Sequence, residues 1–347
     1  MADEIQVQEI QDMKAHIIRC TSSRSHKANM ASAGHSTNGP HPVSKGHKMD
    51  GEITMTRRTL LFGALSSVAC AMPTAGGDKH GKACYKIGCY TRPWNRFEYR
   101  IALDGIAEAG FEYAGLMRTR EGLVVHAGAS EGTVREVARE VERRGLKMLS
   151  VYGGDFGARE SLERGRTGLQ RLLGHCATLG CPNLLLSGTS RQEVFENYYR
   201  SVRQVCDDAA QKGITITLKP HGGLNGAGTQ LRRIVELVRH PRFRITYDPG
   251  NILKFSNAKV DPVRDAAVLD GLVAGLCVKD FLPPKRVQVT PGQGVVGFRQ
   301  LLEVLQKGGF RSGPMLVECV SPARTYEQIT AEAARARSFV ADLIGTD

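Results

Sequence analysis

Eight short apolar runs, each followed by a stretch of helical period, constrain this 347-residue chain more than any other feature. The runs are Lys86–Tyr90, Phe111–Met117, Lys147–Tyr152, Asn183–Ser187, Ile214–Lys219, Arg244–Asp248, Leu272–Lys279 and Met315–Cys319. They are short and apolar, as strands buried on both faces should be. Helical patterns lie between them: Tyr99–Glu108, Glu131–Arg144, Ser161–Leu179, Arg191–Lys212, Gln230–Arg239, Pro262–Leu269, Phe298–Lys307 and Tyr326–Ile344. In Glu131–Arg144, Val134, Val137 and Val141 share a face among alternating acids and bases. Gly110, Gly145, Gly180 and Gly213 stand just past four of the helices, where a left-handed residue ends the helical backbone. Eight β-α repeats over about 260 residues predict an α/β protein folded as a (β/α)₈ TIM barrel. An open doubly wound sheet is the rival. It usually has fewer strands and often a Gly-rich nucleotide loop after the first. Here the first run leads into Cys89-Tyr90-Thr91-Arg92-Pro93-Trp94 instead, and no G-x-x-x-x-G-K-[ST] occurs.

The barrel is expected over residues 84–345. Residues 1–54 are polar, His-rich and without periodicity, and read as a disordered extension. At Met55 the text changes to Thr56-Arg57-Arg58-Thr59-Leu60-Leu61-Phe62, with an apolar run to Ala71. Residues 55–71 read as a signal peptide of the twin-arginine type, too short for a membrane span. Met55 is then the expected start, with a small-residue cleavage site at Ala69-Cys70-Ala71; a lipoprotein anchor at Cys70 fits less well. The expected location is periplasmic or otherwise exported, the alternative cytoplasmic.

The net charge of +12 belongs mostly to the barrel, because residues 1–71 hold only 8 of the 47 basic and 6 of the 35 acidic residues. Such a balance attracts anionic substrates or polymers, or is simply a solvated basic surface. The nine cysteines form no C-x-x-C and no Cys/His ladder, so a zinc ribbon or finger is not indicated.

Chemistry concentrates where apolar runs end in charge, because a barrel gathers its strand C-termini around one pocket. Asp248-Pro249-Gly250-Asn251 offers a carboxylate for a divalent metal or a sugar hydroxyl, or else an ordinary β-turn. Glu318 closes Met315-Leu316-Val317 and, buried there, needs a partner: a metal, a substrate or Lys219. Lys219-Pro220-His221-Gly222-Gly223 packs a cation, an imidazole and two glycines into one strand exit, and otherwise supplies a buried ion pair. Cys277-Val278-Lys279-Asp280 is a weaker version of the same. Arg92 and Trp94 can clamp or stack on a sugar, although Trp94 can equally plug the barrel mouth.

These strand ends resemble the xylose isomerase-like barrel superfamily, in particular its sugar phosphate isomerases/epimerases. The resemblance covers about residues 84–345 and includes Gly292-Gln293-Gly294-Val295-Val296-Gly297-Phe298, similar to that family's loop before its seventh helix. It implies one divalent metal held by an acid, an Asp, a His and a Glu, with proton transfer through an enediolate. Asp248 and Glu318 match that tetrad; Lys219 stands in the place of the first acid and Cys277 in that of the His. Leu116-Met117 occupy the end of the second strand, where an acid is often found. Two cofactor readings follow. In one, Asp248 and Glu318 with His221 or Cys277 hold manganese or zinc. In the other, the site is metal-free and Lys219 supplies the charge or acts as a base of lowered pKa. The function expected is an exported isomerase or epimerase of a sugar or sugar acid, with Glu318 and Lys219 catalytic. His221, Arg92, Trp94, Lys279 and Asn251 would bind substrate. The alternatives are a lyase or hydratase on an oxidised sugar, and a carbohydrate-binding barrel that has lost catalysis. Nucleic acid is not an expected partner: related endonucleases need several metals, and only five histidines follow Ala71.

Overall fold

Each of the eight apolar runs forms a strand, and each strand pairs in parallel with the next in sequence. A computed structural model describes residues 83–345; the expected extension, the signal peptide, the Met55 start and Cys70 lie outside them. The strands are β1 (Cys84–Tyr90), β2 (Tyr113–Leu116), β3 (Lys147–Tyr152), β4 (Asn183–Leu186), β5 (Thr215–Leu218), β6 (Phe243–Tyr247), β7 (Val273–Val278) and β8 (Ser312–Val317). The sheet closes where β8 pairs with β1, Met315 beside Ile87 and Val317 beside Cys89. Register shifts at Ala114/Gly115 and at Ile245/Thr246 are the irregularities in the ladder.

The helices are α1 (Tyr99–Glu108), α2 (Glu131–Glu142), α3 (Leu162–Thr178), α4 (Gln192–Gln211), α5 (Gly228–Val238), α6 (Pro249–Phe255), α7 (Pro262–Ala267), α8 (Phe298–Lys307) and α9 (Tyr326–Ile344). Each long helix buries one stripe. In α2 it is Val134, Val137 and Val141; in α8 it is Phe298, Leu301, Leu302 and Leu305. Gly110 and Gly145 adopt φ of +83° and +66° just beyond α1 and α2, which a side chain would strain. Two elements were not expected: α6, within the Asp-Pro-Gly segment read as a turn, and a small antiparallel ribbon pairing Arg118–Thr119 with Gly122–Leu123.

The inside of the barrel is not wholly apolar. Tyr90, Met117, Leu149, Leu185 and Leu316 form an inner cluster. Beside it runs a buried polar thread: Thr246 donates to Thr217, Thr217 to Asn183, and Asn183 and Tyr90 both to Ser150, each at 2.9 Å. Satisfying these groups against one another removes the desolvation cost of having them inside. Among the described residues, no helix is long and apolar enough to cross a membrane.

Asp280, the second residue past β7, ties down the segment before α8. Its buried carboxylate accepts four backbone N–H groups, from Phe281 (2.8 Å), Gly292 (2.9 Å), Gly294 (2.9 Å) and Val296 (3.1 Å). Gly294 must lack a side chain here, since a Cβ would fall 2.2 Å from Asp280 Oδ1. Asp280→Ala leaves these donors without their acceptor, a loss of about 3 kcal/mol or more. The expected outcome is a lower urea midpoint and melting temperature for Asp280→Ala than for wild type. Asp280→Asn, which keeps one acceptor oxygen, should fall between.

Candidate active site

Four charged residues, Lys219, Asp248, Lys279 and Glu318, each stand one position past the end of a barrel strand, on β5, β6, β7 and β8. Consecutive strand residues point to opposite faces, so residues two apart share one. Lys219 therefore follows Thr217, and Asp248 follows Thr246, above the polar thread. All four side chains are buried and meet at the C-terminal mouth of the barrel.

Asp248 is the N-cap of α6. Its Oδ1 accepts the Asn251 N–H at 2.9 Å, and Pro249 occupies the first helical turn, as the capping preferences require. That leaves Oδ2 facing the mouth, where it accepts from Lys279 Nζ at 2.9 Å with Lys219 Nζ at 3.6 Å. Glu318 is the hub. Its Oε2 accepts from Lys219 Nζ at 2.5 Å and from the Cys277 thiol at 3.0 Å; its Oε1 accepts from Lys279 Nζ at 2.8 Å and from Arg92. Asn251 Oδ1 takes a third contact from Lys279 at 3.2 Å, while its Nδ2 donates to the Pro220 carbonyl at 2.8 Å. Two carboxylates thus face three cations.

The electrostatics follow from this crowding. Burial, the largest single influence, pushes the Glu318 carboxyl up, but Lys219, Lys279 and Arg92 together outweigh it and hold it well below the carboxylate range. Burial likewise pulls both lysines down, and is outweighed by Glu318 at Lys219 and by Asp248 with Glu318 at Lys279, so both ammonium groups end above their ordinary value. The reading of Lys219 as a base of lowered pKa is therefore corrected: it is a held ammonium. Cys277 is pushed well up by burial, then by the two carboxylates, and stays a neutral thiol. His221 is brought down to about 4 by desolvation, then by Lys219 and Lys279; it is uncharged at neutral pH.

One ligand atom from each of Asp248, Cys277 and Glu318 lies within 4.8 Å of the others, the spacing of a metal triad. The oxygens concerned already accept from ammonium groups, and Cys277 would have to lose a proton that it donates to Glu318. His221 is not part of the triad; its ring tilts against Phe255 with centroids 5.1 Å apart. The donor set as arranged does not fit a divalent ion.

A cavity of about 340 Å³ opens above the cluster. Arg92, Lys219, His221, Asn251, Lys279 and Glu318 reach it. A second cavity of about 560 Å³ shares Arg118, Tyr152, Ser187 and His221 with the first, so His221 stands at their junction. Trp94 does not reach either. It is buried in the core, with its Nε1 3.3 Å from Thr330 Oγ1 and its indole where a Cβ on Gly105 would lie 2.4 Å away. Its expected role on substrate is corrected to that of a packing residue. The lining residues that were missed include four with polar or charged side chains that bear on the chemistry: Arg118, Tyr152, Ser187 and Lys254. Tyr152 and Ser187 close the third and fourth apolar runs, so their strand-end position was a usable signal; their hydroxyls lie 3.1 Å apart. Arg118 in the ribbon and Lys254 on α6 carried none. A larger cavity of about 1130 Å³ lies at the opposite end, lined by Cys84, Glu112 and Lys147 at the strand starts, and contains none of these residues.

Comparison with known proteins agrees with this fold. The family model described as xylose isomerase-like TIM barrel matches residues 103–339. The L-ribulose-5-phosphate 3-epimerase UlaE of Salmonella paratyphi A is 33% identical over 103 residues, which is 30% of this chain and 34% of that protein. The chain thus spans about a third of the length of the curated relative it matches. D-psicose 3-epimerase of Clostridium cellulolyticum H10, solved with D-tagatose, superposes with a TM-score of 0.60 at 14% identity, covering 75% of this chain and 99% of that one. D-allulose 3-epimerase of Methylomonas sp., solved with D-allulose, gives 0.60 at 16% identity over 76% and 98%. The 3-keto-D-glucoside 4-epimerase of E. coli gives 0.55 at 16% over 73% and 99%. At these identities the solved structures establish the shared fold.

Because the folded-state carboxyl of Glu318 titrates below its ordinary 4.5, its ion contacts stabilise the fold fully above that value. They are lost as pH falls through the lower folded value. Glu318→Gln is expected to lower stability by about 3–5 kcal/mol at neutral pH. The gap should narrow as pH drops below 4.5, which paired urea titrations from pH 7 to pH 3 will show.

Proposed function

The chain belongs to the xylose isomerase-like TIM barrel family, and on that premise we propose that it is an isomerase or epimerase of a sugar or sugar acid acting by proton transfer. The observation that carries this reading is the buried Lys219–Glu318 pair at the cavity floor, an ammonium and a carboxylate 2.5 Å apart. Glu318 takes the proton from the carbon beside the substrate carbonyl. Lys219 meets the carbonyl oxygen and stabilises it as negative charge develops in the enediolate. Glu318 returning the proton to the neighbouring carbon, with the hydroxyl proton passing to the former carbonyl oxygen, yields the isomer; an epimer forms when solvent protonates the opposite face and Glu318 gives its proton to solvent. Lys279 and Asp248 hold the pair in place, and Asn251 orients Lys279.

Two features support an anionic substrate. The cluster carries one more cation than carboxylate, and Arg118 and Lys254 add charge at the cavity wall. The 3-epimerase and 4-epimerase relatives support the reaction class. The reading that the protein works outside the cytoplasm rests on residues 55–71 alone. A second reading, a carbohydrate-binding barrel without catalysis, is favoured by one observation: three cations hold Glu318 and make it a weak base until a ligand oxygen draws Lys219 away.

The test is a panel of ketoses and keto sugar acids in deuterated water, followed by NMR. The expected outcome is deuterium beside the carbonyl with every hydroxyl retained. Glu318→Gln should lower kcat by about 10²–10⁴, and Lys219→Met by about 10²–10³. Loss of a hydroxyl would instead identify a lyase, and tight binding without exchange a binding protein.

A further inference from the structure

Lys279 Nζ bridges Asp248 Oδ2 and Glu318 Oε1 at 2.9 and 2.8 Å. A divalent ion shared by those same two oxygens would sit at about 2.0–2.6 Å from each, which is the space the ammonium fills. Lys219 Nζ closes the other side of the pair, on Glu318 Oε2 with Asp248 Oδ2 at 3.6 Å. The remaining donor atoms are committed: Asp248 Oδ1 caps α6, and Cys277 donates its proton to Glu318.

The two lysines differ in one respect. Lys279 has three acceptors, Asp248, Asn251 and Glu318, one for each of its N–H bonds. Among the described residues, Lys219 Nζ has a single acceptor within hydrogen-bond distance, although it is buried and faces the cavity. A buried ammonium with donors to spare needs a ligand oxygen.

We propose that Lys219 and Lys279 stand permanently where a divalent cation would bridge Asp248 and Glu318, so that the centre takes up no divalent metal, and that Lys219 offers its remaining N–H donors to an oxyanion entering from the cavity. The oxyanion is a carboxylate or an enediolate oxygen. Lys279 is the fixed charge of the site and Lys219 the group that touches the ligand. The exclusion of a metal stands apart from the sugar reading, whereas the enediolate role of Lys219 rests on it; oxalate tests the oxyanion site itself without a sugar.

The test begins with the full chain purified without chelators. Elemental analysis should find no stoichiometric manganese, zinc or magnesium, and titration with Mn²⁺ should show no saturable site. The Lys219→Gln/Lys279→Gln double variant keeps Asp248, Cys277 and Glu318, and should gain a saturable Mn²⁺ site at least tenfold tighter than any residual binding by wild type. Both single variants are measured alongside, with circular dichroism to identify those that fold. A stoichiometric ion in the wild type, or a folded double variant that gains no site, overturns the proposal; the wild-type result stands alone if that variant does not fold. Oxalate supplies the second arm. It should bind the metal-free wild type and bind Lys219→Gln at least tenfold more weakly. No binding to wild type, or equal binding to the variant, overturns the role of Lys219.

Discussion

Everything at the mouth of this barrel depends on one constraint: charges taken out of water must neutralise one another. Asp248 and Glu318 are buried, and an isolated buried carboxylate costs far more than a fold of this size can spare. Lys219, Lys279 and Arg92 answer them within contact distance. Such a cluster adds little net stability against an apolar equivalent, yet loses heavily when one member is removed. Its value lies in placement, since each side chain has few positions in which all the others remain satisfied.

That placement comes from the strands. Lys219 and Glu318 are separated by 99 residues and Asp248 and Lys279 by 31, and closing the barrel brings all four strand ends together. The polar thread between β3, β4, β5 and β6, and the cap that Asp248 forms on α6, fix the ends on which the charges ride. Site and scaffold therefore share residues: Asp248 ends a strand, starts a helix and holds a lysine.

Much of this was legible in the chain itself. Short apolar runs marked the strands to within a few residues because burial on both faces leaves a composition unlike that of the helices. The charges ending those runs marked the site for the same reason, since an ion after a buried segment requires an explanation. Pairing was not legible. Lys219 reads equally as a base, an electrophile or a structural ion, and only the distances to Glu318 and Asp248 make it a held ammonium. Lys279 reads as the weaker lysine, yet it bridges both carboxylates. Trp94 follows a strand end and still turns into the core, because a short helical turn at Arg92–Trp94 redirects it.

The polar thread has a direction. The hydroxyls of Thr246 and Thr217 and the Asn183 amide each point their hydrogen toward Ser150, and Tyr90 points its own there from the other side. Those hydrogens are spoken for, so the layer beneath the cluster has little left with which to tell one hydroxyl pattern from another. On the proposed function, stereochemical discrimination falls to the walls, where the Tyr152 and Ser187 hydroxyls, the neutral His221 and Arg118 border the cavity. A site used in that way would separate the group that polarises a ligand from the groups that recognise its shape, so its selectivity could change on the walls without disturbing the charge balance below.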